Sequence, residues 1–167
     1  IQAGKIHASS DGQKLKTKRK TIRTRFSTKY IKTGPGVSGL TLTAHFVPLY
    51  GKIIGLNEHE SHFVFDLLYN NTSEIQPDIV STDSHGSNRF NFALLDLAGW
   101  TFAPRYANVN KEMNQLFRVE EIDGTHEISL LKPIDVDLIC ENWSFIQKVM
   151  VSLTSRSTSQ ASIVRKL

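Results

Sequence analysis

The chain has 167 residues, 40% hydrophobic and 22% charged, a balance that fits one globular domain with a core. No apolar run approaches the length of a membrane span, and no signal-peptide pattern opens the chain. The single cysteine, Cys140, excludes an intramolecular disulfide and suits a reducing interior.

The first residue is Ile1 rather than Met, which suggests excision from a longer protein. Residues 4 to 10 read as a strand entering "SSDG". A basic arm over 12–36 follows. Lys14, Lys16, Lys18, Arg19, Lys20, Arg23, Arg25, Lys29 and Lys32 give nine positive charges with no acid among them. The rest of the chain carries eleven basic and sixteen acidic residues, so the net charge of +4 describes an acidic body with one basic arm. That asymmetry points to a polyanion, nucleic acid above all, although a solvated loop has the same composition. "TGPGVSG" reads as a loop without a phosphate-binding glycine pattern.

Leu40, Leu42, Ala44 and Phe46 alternate with Thr41, Thr43 and His45, the period of a half-buried strand. A turn over Pro48 to Gly51 and a second antiparallel strand over Lys52 to Leu56 complete a hairpin. Asn57 then reads as the cap of a helix through "EHESHFVFDLLYN", with Phe63, Val64, Leu67 and Leu68 on one face. "DIVSTD" is a short buried strand, "SNRFNFALLDLAG" a helix closed by Gly99, and "WTFAPRY" another short strand. Strand, helix, strand, helix, strand with short links implies parallel pairing through right-handed crossovers. Further on, a hairpin is expected around Asp123-Gly124. "DVDLICENWSFIQKVMVSL" has helical spacing with Leu138, Ile139, Trp143, Ile146, Val149 and Met150 inward and Cys140 buried among them. Ser157 and Gln160 have capping-box spacing before "ASIVRKL".

Ligands in such mixed sheets gather at the carboxyl ends of strands, where Asp83 falls. Asp11 also sits beside a glycine after a strand. Two such aspartates can share a magnesium ion, which takes oxygen ligands and only one or two protein carboxylates. Each can equally make a turn with its glycine. His85, two residues from Asp83, can contact phosphate, assist proton transfer or satisfy the turn. His59 and His62 lack the H-E-x-x-H spacing and a third ligand, so no zinc site is expected. Ser9 and Ser10 support no Ser-His-Asp arrangement.

"SSDGQ", "LYNNTSEIQPDIVSTDSHGSNRFNFALLDLAGWTFAPRY" and "TSQASIVRKL" together resemble the catalytic region of the Tn3 family, the large replicative transposases that form cointegrates. The resemblance is strongest from Asn57 to Tyr106. It implies an α/β, ribonuclease-H-like mixed sheet flanked by helices and a DDE site with magnesium, or manganese in its place. It assigns Asp11 and Asp83 as the first two catalytic, metal-holding acids and His85 and Arg105 as their neighbours. Ser84 departs mildly from the usual threonine.

The third acid, a glutamate on a later helix, has no match before Leu167. The fold is therefore expected to be truncated before the domain ends, with 1–134 as the catalytic core and 135–167 as the start of a helical insertion. The chain alone is then expected to be inactive. The implied partners are double-stranded DNA at transposon ends and targets, contacted by Lys14, Lys16, Lys18, Arg19, Lys20, Arg23 and Arg25. Self-association in the full-length protein and a cytoplasmic, nucleoid-associated location are also implied, with no membrane. Another metal-dependent nuclease of the same fold, or a non-catalytic nucleic-acid-binding remnant, are the alternatives.

Overall fold

The computed structural model describes residues 4–113, 116–118 and 132–166. It divides into two compact units, Ile1–Arg105 with Thr158–Leu167, and Tyr106–Ser157.

The first unit is built on five strands: β1 (His7–Lys16), β2 (Gly36–Ala44), β3 (Val47–Gly55), β4 (Ile79–Thr82) and β5 (Thr101–Phe102). Their order across the sheet is β3-β2-β1-β4-β5. The β1–β2 and β2–β3 pairs are antiparallel, whereas β1–β4 and β4–β5 are parallel. A 3-10 turn (Glu60–Phe63) leads into α1 (Val64–Tyr69), α2 (Arg89–Leu97) joins β4 to β5, and α6 (Gln160–Val164) returns to this unit. This is the expected mixed sheet flanked by helices.

Strand alternation sorts the side chains. Even-numbered Ala8, Leu40, Leu42, Ala44 and Val80 are buried. Leu40 and Ile54 pack against Phe63, Leu67 and Ala161, so the 3-10 turn, α1 and α6 cover this face. Odd-numbered His7, Ser9, Thr41, Thr43, Ser81 and Asp83 form a polar face opposite. In α1 both Phe65 and Asp66 are buried along with the expected apolar positions, and Lys52 Nζ lies 2.9 Å from Asp66 Oδ2. Phe65 also stacks on Tyr69 and meets Trp100 edge-on. α2 is capped by Asn88, whose side chain accepts from Asn91 N, and ends before Gly99 at φ +86°.

Several local expectations are corrected. β1 runs through "SSDG" to Lys16, because β2 continues to pair with it after β4 has stopped. The β2–β3 turn is His45-Phe46 rather than Pro48 to Gly51. Ala44 pairs with Val47, and both turn residues have positive φ, at +49° and +65°. Pro48 is tolerated inside β3 because that strand is the sheet edge, beside an irregularity in register at Leu42/Thr43. Phe46, expected to continue the buried alternation, is fully exposed as a result. Asn57 does not cap a helix: the chain first makes the 3-10 turn after His59. Ser159, not Ser157, caps α6, accepting from Ser162 N.

The second unit holds α3 (Val109–Met113), a short parallel pair of β6 (Phe117–Arg118) with β7 (Lys132–Pro133), α4 (Val136–Glu141) and α5 (Trp143–Thr154). The expected continuous helix is broken at Asn142, whose side chain and backbone both donate to the Leu138 carbonyl. The break splits the apolar stripe. Leu138 and Trp143 are exposed, and so is Cys140, against the expectation that it fills a core. The hairpin expected at Asp123-Gly124 lies outside the described residues. Among the described residues no helix is long and apolar enough to cross a membrane.

Candidate functional site

The parallel ladder between β1 and β4 pairs Ser9 with Ser81 and Ser10 with Thr82. Asp11 and Asp83 each stand one residue further on. Neighbouring strands lie about 5 Å apart, and matched positions on parallel strands share a face. A hydrogen bond of 2.6 Å between His7 Nε2 and Ser81 Oγ marks that shared face two rungs back. The two aspartates, 72 residues apart in the chain, thus each follow the last paired rung of the ladder.

Arg105 lies beyond the end of the neighbouring strand, β5. Ala103 N donates to the Val80 carbonyl and Arg105 N to the Thr82 carbonyl, both at 2.8 Å, so the β5 chain continues alongside β4 past its last assigned rung. Asp11 pairs with Thr41 on β2, while Asp83 follows the end of β4 and Arg105 the end of β5.

Asp83 opens a tight turn. Its Oδ1 accepts from His85 N at 2.9 Å and Gly86 N at 3.1 Å, and its backbone carbonyl also accepts from Gly86 N. Gly86 is required by packing: a Cβ there would stand 2.5 Å from the Thr82 side chain. Gly12 answers to the same logic. A Cβ would lie 2.2 Å from the Glu60 carboxylate carbon, so the motif glycine leaves room for an acid from the 3-10 turn. Glu60 is paired with Lys14, whose ammonium also donates to Ser38 Oγ at 3.0 Å and lies 5.0 Å from the Tyr30 ring centroid.

Asp83, His85, His59, Glu60, Lys14 and Gly12 line one cleft; Asp11 is exposed beside it. Burial holds the His59 imidazole below the ordinary value of 6.5, and His85 lowers it further while Glu60 opposes. Burial likewise lowers His62, with His59 next. A second, shallower cleft on the polar face is lined by His7, Ser9, Thr43, Ser81 and Arg105 and reaches the His45-Phe46 turn.

Asp11 and Asp83 offer the carboxylate oxygens that magnesium takes, with water completing the octahedron, so the residue types fit a divalent cation. Among the described residues no group of three or more His, Cys, Asp or Glu side chains could hold a metal.

The basic arm is not uniformly available. Lys14 is committed to Glu60, Lys16 Nζ donates to Thr33 Oγ1 at 3.2 Å, and Arg23 Nη1 to the Ile53 carbonyl at 3.2 Å. Arg25 Nη1 donates to the Ile22 and Thr24 carbonyls. Lys18, Arg19 and Lys20 are exposed, and Lys20 lies over the Phe26 ring.

Two residues behind the site carried no functional reading in the sequence. Gln160 and Asn91 are fully buried. Gln160 Oε1 accepts from Phe65 N at 2.9 Å, and its Nε2 donates to the Ser61 carbonyl and to Asn91 Oδ1. Asn91 Nδ2 donates to the Ser61 and Gly86 carbonyls, both at 3.0 Å. The amide pair thereby ties α6 to the Asp83–Gly86 turn. A signal for Asn91 existed: it shares the spacing of Leu94 and Leu95 on the buried face of α2, where a polar residue needs a partner.

Comparison with known proteins gives a match of the Tn3 transposase DDE domain family to residues 2–167. The transposase of transposon Tn4556 from Streptomyces fradiae is 25% identical over 98% of this chain and 18% of its own length. The transposase of Tn3926 from Escherichia coli is 25% identical, over 96% of this chain and 16% of its own. That of transposon gamma-delta from Escherichia coli K12 is 29% identical over 62% and 10%. The chain thus spans less than a fifth of these relatives. Among solved structures, the Mos1 strand transfer complex aligns with a TM-score of 0.42 and 12% identity, over 93% of this chain and 54% of that one.

Proposed function

Because this chain belongs to the Tn3 transposase DDE domain family, we propose that it carries two of the three catalytic acids, Asp11 and Asp83, of an enzyme that cuts transposon ends and joins them to target DNA. The observation that supports this reading is the β1–β4 register, whose last pair, Ser10 with Thr82, immediately precedes Asp11 and Asp83. In the first step water bonds to phosphorus at the transposon end and the bond to the 3′ oxygen breaks, leaving a 3′ hydroxyl. In the second, that hydroxyl attacks a target phosphodiester and displaces the target's own 3′ oxygen. A divalent cation, magnesium or manganese, supplies an activated water and stabilises charge on the leaving oxygen when bound.

Asp11 and Asp83 would hold it. The Asp83 turn fixes one carboxylate oxygen with two backbone amides, so that carboxylate is preset rather than free to rotate. Arg105, past the end of β5, is suited to a non-bridging phosphate oxygen, as a planar guanidinium binds phosphate in a fork. His85, exposed at the cleft edge, lies within the same approach path. The exposed run Lys18-Arg19-Lys20 would follow the DNA backbone. No glutamate of this chain matches the third acid of the family, so the chain alone would be inactive.

The test is strand cleavage by the longer protein with magnesium. Asp11→Asn or Asp83→Asn should each lower cleavage by about a thousandfold, the several kcal/mol that charge stabilisation at such a site supplies, with DNA affinity retained. Near-normal turnover in either variant would overturn the assignment, and robust cleavage by the 167-residue chain alone would overturn the missing acid.

A further inference from the structure

Ile22 is the most exposed apolar side chain of the basic arm, and it sits on a braced turn. Ile22 is 91% exposed, whereas Thr24, two residues on, is 8% exposed. Residues 21 to 24 form a closed turn. Thr24 N donates to the Thr21 carbonyl at 3.1 Å, Thr24 Oγ1 donates to the same carbonyl at 2.8 Å, and Thr21 N donates to Thr24 Oγ1 at 2.9 Å. The Arg25 guanidinium spans the far side, onto the Ile22 and Thr24 carbonyls at 3.0 and 2.8 Å. Reciprocal backbone hydrogen bonds between Arg25 and Gly36 fasten the turn to the start of β2. A loop whose only task is to carry charge in solvent does not need this bracing.

We infer that Ile22 is a wedge that enters duplex DNA at a base step while the flanking cations hold the phosphates. This rests on the reading that the 12–36 arm lies on DNA. Lys18, Arg19 and Lys20 precede the turn, Arg23 lies within it and Arg25 braces it, with no acid between residues 12 and 36. That charge selects a polyanion. The apolar element suits a duplex: Ile22, 91% exposed, stands along the chain among Lys18, Arg19, Lys20, Arg23 and Arg25. It is the size of the wedges that part neighbouring base pairs and kink DNA. The bracing lets the side chain enter without first losing conformational freedom. Phe26, 62% exposed beneath Lys20, adds a second apolar surface at the foot of the turn.

The test uses a duplex carrying 2-aminopurine, whose fluorescence rises when it unstacks, titrated with the full chain and three variants. The unaltered chain should raise the fluorescence. Ile22→Ala should lose that rise and bind about tenfold more weakly at an unchanged salt slope, because the lost contact is apolar. Ile22→Leu should restore both. Neutralising Lys18, Arg19 and Lys20 together should reduce the slope of log affinity against log salt by about three. An Ile22→Ala chain that still unstacks the probe and binds normally overturns the wedge while leaving the DNA reading intact. An unchanged salt slope in the triple variant overturns the DNA reading itself.

Discussion

The two faces of the central sheet differ in what they hold. On the even-numbered face, Ala8, Leu42 and Val80 are buried under helices. On the odd-numbered face, one residue away along the same strands, His7, Ser9 and Asp11 stand beside Ser81 and Asp83. Period-two alternation therefore lets one short strand build the core and the site at once, with little trade between them. A carboxylate on the odd face can be changed without opening the core, and a core residue can be changed without touching the acids.

That separation can be broken or sharpened by substitution. The largest effect is expected at Leu42, which is fully buried. Leu42→Ala should cost about 3 kcal/mol of unfolding free energy, by lost burial and the cavity left behind. Its odd-face neighbour Thr43→Ala should shift a urea midpoint far less. Equal losses at both positions would mean the faces are not distinct.

Next comes the buried amide pair. Gln160→Leu keeps the volume but strands Phe65 N, which should cost about 2 kcal/mol. It should also speed hydrogen exchange at the amides of the Asp83–Gly86 turn, reached through Asn91. Stability loss without that faster exchange would make the pair purely structural.

A third test concerns Gly12. Gly12→Ala forces its new methyl against the Glu60 carboxylate and should cost about 1–2 kcal/mol. Combining it with Glu60→Ala should recover part of the loss, since the obstacle is a side chain. Additive losses would place the obstacle in the backbone instead.

The smallest effect follows from His59 and His62, both lowered mainly by burial. The unfolded chain then binds more protons than the folded one just below pH 6.5, so their contribution is present above that pH and is lost as pH falls through the folded values. Melting temperature should drop from pH 7.5 to 5.5, and less so in a His59→Gln, His62→Gln double variant.

The legible parts of the molecule were those that local pattern determines. Alternation in 40–44 marked a strand with its apolar side inward, and the run before Gly99 marked α2 and its end. Asp11 and Asp83 stood out through motifs that resemble the family, and the glycine in each motif, Gly12 and Gly86, has a packing reason. What escaped depends on partners far along the chain. Pro48 looks like a turn until β3 is known to be an edge. Cys140 looks buried among Leu138, Ile139 and Trp143, yet α4, which carries it, buries none of its residues. Gln160 looks like a cap because its donor and acceptors lie 69 to 99 residues earlier, where no window on the sequence reaches them.

Those long spans also govern when the first unit can finish folding. During synthesis, the amides at Ser61, Phe65 and Asn91 leave the ribosome well before the residue that completes their network. At about 5–20 residues per second, the 95 residues from Phe65 to Gln160 take about five to twenty seconds to make. Through that interval the nascent chain holds a helical layer with an open polar seam, a stretch of time in which chaperones have a defined feature to shield.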